Sequence, residues 1–167
     1  MKKLLPTYPR ILAITPSTRG FGFALIEGLN TLVDWGVKRI QEDKNTQSIM
    51  KIKELVAHYQ PNVMVLEDTS IKPFHRAARI RCLTRRITRF GEKSNIKVAL
   101  FSPQQVRQCF FGDDQGSKHA LAEILAQKFA DELGFRLPPK RRAGMSEDAR
   151  KDVFDAVALA LVARKTD

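Results

Sequence analysis

Three acidic side chains hold most of the chemistry this sequence can be asked to do. Glu67 closes the apolar run VMVLE, and Asp152 and Asp155 stand three apart in DVFDAVALALVA. An apolar strand has no folding use for a terminal carboxylate, so Glu67 marks a site at the strand's C-terminal edge. Residues at i and i+3 share a helix face, and Asp148 lies one turn earlier on the same side. Acids on an otherwise buried helix repel one another unless a cation or base sits opposite. A corner lined by several such oxygens suits a hard cation such as Mg²⁺. Two of those ions about 3.5–4 Å apart can activate water and stabilise the leaving oxygen in phosphodiester hydrolysis.

These acids need elements to carry them. Ile11 to Thr15 is a short apolar run that reads as a buried strand, and GFGFALIE from Gly20 alternates as its antiparallel hairpin partner. Thr31 to Ile40 is predicted as a third strand. Asn45 to Tyr59 carries an apolar stripe at helical spacing, and Pro61-Asn62 stops it. Val63 to Glu67, apolar until its last residue, fits a central strand covered on both faces. Lys72 to Phe90 is predicted helical, Ile96 to Phe101 a strand, and Ser117 caps a helix reaching Leu133. After the basic Pro/Gly loop LPPKRRAGM, Ser146 caps a last helix to about Arg164. The order predicts an α/β fold: a mixed sheet of five strands, three antiparallel and then parallel, flanked by helices. In that arrangement strand 1, strand 4 and the last helix meet at one corner.

At 167 residues the chain reads as a single domain over 1–167. No apolar run approaches the roughly 18 residues that cross a bilayer, so no membrane role is expected. The start MKKLLPTYPR is broken by two prolines before any long apolar region, and the two cysteines lack metal-ligand spacing. A reduced, cytoplasmic protein is expected. The net charge is +11, with 29 Lys and Arg against 18 Asp and Glu. That excess draws the chain to a polyanion, and counterion release favours nucleic acid. The charge is also clustered. Arg76, Arg79, Arg81, Arg85, Arg86 and Arg89 run along one helix with no acid among them, and Lys140, Arg141 and Arg142 sit together in the loop.

Four segments, in order, resemble the RuvC-type Holliday junction resolvases of the ribonuclease H-like superfamily. ILAITPSTRGFGFALIE resembles the family's opening hairpin, and YQPNVMVLE its central strand ending in a catalytic Glu. SPQQVRQCFFGDDQGSK resembles the segment where a strand end, a Pro, a basic residue, a Gly and a Lys recur. DVFDAVALALVA resembles the closing helix with two catalytic Asp residues. The resemblance runs from Ile11 to Ala163. It implies that Glu67, Asp152 and Asp155 are metal ligands and catalytic, with Mg²⁺ or Mn²⁺ as cofactor. It implies that Arg107 stands where the family has a Lys near the scissile phosphate, and that Lys118 matches the family's other functional Lys. Phe74 falls near the aromatic that stacks at the junction. The family acts as a homodimer on crossover DNA, which implies the same here.

The resemblance departs at the first strand's end. The family has an Asp there, usually in Asp-Pro-Gly, and it is the ligand shared by both metals; here the residue is Thr15, and Ser17 replaces the Gly. Removing one formal charge beside two divalent ions weakens their binding by several kcal/mol. Asp148 is the best-placed substitute acid; Asp68, adjacent to Glu67 on a strand, points to the opposite face. Two main readings stay open. One is a structure-selective protein that binds branched DNA, its Mg²⁺-dependent cleavage undercut by Thr15. The other is an active Holliday junction endonuclease using Glu67, Asp152, Asp155 and a substitute acid. A third, an ATPase-type relative, needs a glycine-rich phosphate loop, of which STRGFG is a poor version.

Overall fold

The computed structural model describes residues 8–71, 77–113, 115–138 and 150–166. Strands β1 (Ile11–Ser17), β2 (Gly20–Glu27) and β3 (Thr31–Arg39) form an antiparallel meander. Helix α1 (Lys44–Tyr59) crosses over to β4 (Val63–Glu67), which pairs parallel with β1. Helix α2 (Ala78–Lys93) crosses to β5 (Lys97–Phe101), parallel to β4. The sheet order is β3-β2-β1-β4-β5. Then come α3 (Pro103–Phe111), α4 (Lys118–Lys128), the short α5 (Ala130–Leu133) with a 3-10 turn, and α6 (Arg150–Thr166). The expected five-stranded mixed sheet is what the chain forms.

Alternation sorts the strand side chains into two layers. Ile11, Ala13, Ala24, Ile26, Val63 and Val65 face α6, α4 and α3, where Val157, Leu161, Leu125 and Val106 meet them. Leu12, Ile14, Phe23, Leu25, Met64 and Leu66 face α1 and α2, against Ile49, Ile52, Leu83 and Ile87. A sheet covered on both sides needs apolar residues at every central position, and β1 and β4 supply them. Helix α6 is buried along nearly its whole length, from Lys151 to Ala163.

Several boundaries differ from the sequence expectation. Strand β1 continues through Pro16 to Ser17. Proline is tolerated there because β4 pairs with β1 only as far as Ile14, so Pro16 needs no ladder donor on that side. The hairpin turn is therefore just Thr18-Arg19, between the paired Ser17 and Gly20. Among the described residues helix α2 begins at Ala78, after the non-helical Ala77, and runs through Gly91 to Lys93; the expected start at Lys72 lies outside the described residues. A Cβ on Gly91 would lie 2.6 Å from Val98 Cγ2, so that glycine permits close packing on β5 and does not stop the helix. The expected single helix from Ser117 to Leu133 is broken at Phe129, whose φ of −116° and ψ of 55° leave the helical region. Helix α3 went unanticipated. It is nine residues long with only Val106 buried, too little periodicity to register. Its start was nonetheless written in Ser102-Pro103-Gln104-Gln105. Ser102 Oγ accepts from Gln105 N at 3.2 Å, and Gln105 Oε1 accepts from Ser102 N at 2.8 Å. That is a capping box with proline at the first helical position.

Candidate functional site

A cavity of about 380 Å³ opens at the C-terminal edge of β1 and β4, between α2, α3, α4 and α6. Thr15, Glu67, Asp152, Asp155, Arg107 and Lys118 all line it. Each arrives for a local reason. Thr15 and Glu67 follow the paired Ile14 and Leu66 by one step, on the face shared with Ala13 and Val65. Asp152 and Asp155 project from the first turns of α6, Asp152 only 6% exposed and Asp155 half-buried. The capped start of α3 places Arg107. Ser117 Oγ accepts from Ala120 N at 3.0 Å, capping α4 and setting Lys118 at its first position. A cation at a helix N-terminus opposes the macrodipole, so folding of α4 does not account for a lysine there.

Two contacts define the centre of the cavity. The Thr15 hydroxyl donates to the backbone carbonyl of Asp152 at 2.8 Å, fastening β1 to α6 across 137 residues. Arg19, from the hairpin turn, holds a guanidinium nitrogen 3.8 Å from the Asp152 carboxylate. Gly22, the register partner of Thr15, lets α6 come this close: a Cβ there would sit 2.5 Å from the Asp152 carbonyl oxygen. Asp152 thus faces a cation brought by the hairpin turn, Arg19. Nothing local in STRG signals that role, because its partner lies more than a hundred positions away.

The other candidates divide. Arg85, Arg86 and Arg89 are exposed along α2, and Arg81 is half-buried. Arg79 is turned inward, donating to the Ser17 carbonyl at 3.0 Å and to Asn45 Oδ1 at 3.1 Å, so it ties α2 to the β1 hairpin and to α1. Asp68 accepts from the backbone and hydroxyl of Ser70, and it is not among the residues lining the cavity. Phe74, Arg76, Lys140, Arg141, Arg142 and Asp148 lie outside the described residues. Both cysteines are free thiols. Among the described residues no helix is long and apolar enough to cross a membrane.

No family model matches the chain. It is 25% identical over 162 residues to the crossover junction endodeoxyribonuclease RuvC of Prochlorococcus marinus (strain MIT 9312), covering 91% of this chain and 94% of that protein. Thermus thermophilus RuvC, solved in complex with a Holliday junction substrate, superposes with a TM-score of 0.69 at 16% identity, over 95% of this chain and 97% of that one. The fowlpox virus resolvase, solved with its substrate Holliday junction DNA, superposes with a TM-score of 0.59 at 16% identity, over 94% and 99%. The chain has the fold of these RuvC structures and is similar in sequence to RuvC over most of its length.

The donor set differs from the one the sequence resemblance implies, with Thr15 at the first position. Among the described residues no group of three or more His, Cys, Asp or Glu side chains comes together so as to hold a metal ion. The Thr15 hydroxyl is turned to the Asp152 carbonyl as a donor, an orientation that a carboxylate, which only accepts, could not adopt. Asp152 has a guanidinium beside it already. A two-metal centre needs carboxylates free to bridge both ions; Glu67, Asp152 and Asp155 line the cavity, and Asp148, the substitute acid expected from the sequence, lies outside the described residues.

Proposed function

We propose that this RuvC-like protein binds branched DNA, a four-way junction above all, without cutting it at the rate of a two-metal nuclease. The observation that carries this reading is the Thr15 hydroxyl donating to the Asp152 carbonyl. The residue that the resemblance assigns to metal bridging serves here as a fastener between strand and helix. Binding has its own support in the net charge of +11 and in the exposed Arg85, Arg86 and Arg89. Arg107 and Lys118 at the cavity take the backbone phosphate nearest the crossover, and Phe74, Lys140, Arg141 and Arg142, which lie outside the described residues, are further DNA contacts by the resemblance and their charge. Two copies of the chain, as the resemblance implies, engage the two halves of one junction.

The test is fluorescence anisotropy on a four-way junction and on a duplex of equal length, with a cleavage assay on the same junction in Mg²⁺ and in Mn²⁺. The junction should bind at least about tenfold tighter than duplex, with no product. Replacing Arg85 and Arg89 by Ala should lower the slope of log K against log salt by about 2, since each phosphate contact contributes close to one. Equal affinity for junction and duplex would refute the reading. The second reading is an active Mg²⁺-dependent endonuclease. It is favoured by one observation, that Glu67, Asp152 and Asp155 share a cavity, and junction cleavage by the wild-type protein would establish it.

A further inference from the structure

We propose that Arg79 is a positioning residue for junction binding: it sets where the arginine row of α2 lies relative to the cavity, and so gives the protein its preference for branched over straight DNA. This rests on the junction-binding reading above.

Arg85, Arg86 and Arg89 are exposed on α2, whereas Arg79 points inward and is held at both terminal nitrogens. Its Nη2 donates to the Ser17 carbonyl at 3.0 Å, and its Nη1 donates to Asn45 Oδ1 at 3.1 Å. The Asn45 amide returns a bond to the Arg79 carbonyl at 3.2 Å. These bonds reach partners 34 and 62 residues away in sequence. Folding of α2 does not call for an arginine there. It stands in the first turn, where a cation opposes the helix macrodipole.

The bonds meet where two helices start without a side-chain cap. Neither Asp43, before α1, nor Ala77, before α2, makes a capping bond from its side chain. Both first turns are fastened to the hairpin instead. Arg79 reaches the Ser17 carbonyl from α2, and Lys44 Nζ reaches the Thr18 carbonyl from α1. Ile40 N, just past β3, donates to the Arg19 carbonyl at 2.9 Å. Thr15, Ser17 and Thr18 line one wall of the cavity, and Ile80 and Thr84 of α2 line another. Arg79, next to Ile80, bonds one wall to the other.

What the clamp fixes is a lever. Leu83 and Ile87 hold α2 on the sheet through apolar contact, which is non-directional and leaves the tilt of the helix open. Hydrogen bonds are directional, and the planar fork of a guanidinium makes two of them in a set geometry. From Arg79 to Arg89 the helix rises about 15 Å. A tilt of about 10° at the clamp would carry Arg89 about 2.6 Å, comparable with the rise of about 3.4 Å between successive phosphates of one strand. On a duplex the row can settle on the next phosphate, because the backbone repeats. At a crossover the cavity and the row must meet strands whose places the branch sets, and a displaced row loses that match. Arg79 therefore acts on junction preference and leaves the number of phosphate contacts unchanged.

The experiment compares wild type with Arg79→Ala, Arg79→Lys, Asn45→Ala and the double variant Arg79→Ala with Asn45→Ala. Anisotropy on a four-way junction and on a duplex of equal length is followed over a salt series, with Arg85→Ala as the phosphate-contact control. Hydrogen exchange over residues 17–20 is read by mass spectrometry without DNA. Arg79→Ala should lose about tenfold in preference for junction over duplex with its slope of log K against log salt unchanged, whereas Arg85→Ala should lower that slope by about 1. A general weakening of the fold would lower both affinities together and leave their ratio alone. Arg79→Lys keeps the charge without the fork and should lose the preference as Ala does. Asn45→Ala should show a smaller loss of the same kind, and the double variant should be no worse than Arg79→Ala, because both residues act in one clamp. Exchange over residues 17–20 should quicken in Arg79→Ala and in Asn45→Ala. Arg79→Ala that keeps the preference, or that lowers the salt slope by about 1 and is rescued by Arg79→Lys, would overturn the proposal. Should Arg79→Ala fail to fold, Arg79→Lys and Asn45→Ala decide. A wild type that binds junction and duplex equally sinks the junction-binding reading itself; a selective wild type with an equally selective Arg79→Lys sinks only the role of Arg79.

Discussion

Replacing Gly22 by Ala probes the approach of α6 to the sheet with a single methyl group. Gly22 sits on the buried strand β2, opposite Thr15. An added Cβ would lie 2.5 Å from the Asp152 carbonyl oxygen, 2.6 Å from its carbonyl carbon and 2.7 Å from its Cβ. Carbon atoms rest about 3.5–4.0 Å apart, so helix and strand must separate by about 1 Å. Neither side can yield by rotating a side chain, because the first two of those atoms are backbone. Overpacking a core costs roughly 1–3 kcal/mol, and a clash of this kind belongs at the upper end, about 3 kcal/mol. For a chain of this length that lowers Tm by about 6–12 °C. Urea unfolding should show the fall in midpoint at unchanged m. Gly112→Ala is the control. Gly112 has φ 75° with nothing within 4 Å of an added Cβ, so its cost is backbone strain alone, about 1 kcal/mol. Separating α6 from the sheet also breaks the Thr15 hydrogen bond, so Gly22→Ala and Thr15→Val should combine to less than their sum. A Gly22→Ala protein no less stable than Gly112→Ala would refute the close approach of Asp152 and with it the geometry of the cavity.

Thr15→Val keeps the shape and removes the donor to the Asp152 carbonyl. It should destabilise by about 1 kcal/mol in chemical denaturation, while Thr15→Ser, which keeps the donor, should cost less. The Tyr59 phenol donates to the Asp34 carboxylate. That hydrogen bond first, then burial and the Asp34 charge, pushes its pKa from 10.0 up to about 12. A raised acid pKa means the folded state favours the neutral phenol. The stabilisation is therefore complete below pH 10 and is lost as the pH climbs from there towards about 12. In a Tyr8→Phe background, which leaves Tyr59 as the one tyrosine, the phenolate absorbance should rise late and move down towards 10 in Asp34→Ala. A wild-type midpoint already near 10 would contradict the pairing.

What the sequence discloses depends on whether a feature is local. The strands were legible because burial on two faces leaves a mark within a few residues, as in ILAI and VMVL, and the charged residue ending VMVLE stood out for the same reason. The break between α4 and α5 was not, since Leu121, Leu125, Phe129 and Leu133 keep their four-residue spacing across it and all four are buried. Periodicity reports which face is apolar, and a kink that preserves the face is invisible to it. Helix α3 shows the opposite case, a weak stripe beside a strong cap, where Ser102 and Gln105 carried the signal.

The cavity divides along the same line. That Thr15 is uncharged can be read from one letter, and so can the consequence for metal affinity. What the threonine does instead cannot be read there, because its acceptor is a backbone carbonyl, and a carbonyl has no identity in a sequence. Arg19 is hidden for a related reason. Its charge is visible, but its place is set by a turn that three distant residues pin from outside, beside a carboxylate on the last helix. The two belong together. A threonine that donates to the Asp152 carbonyl brings α6 onto the sheet, and that approach buries the Asp152 carboxylate beside Arg19. The hairpin that carries Thr15 on its first strand carries Arg19 in its turn, so one short segment both buries the charge and brings a cation to it.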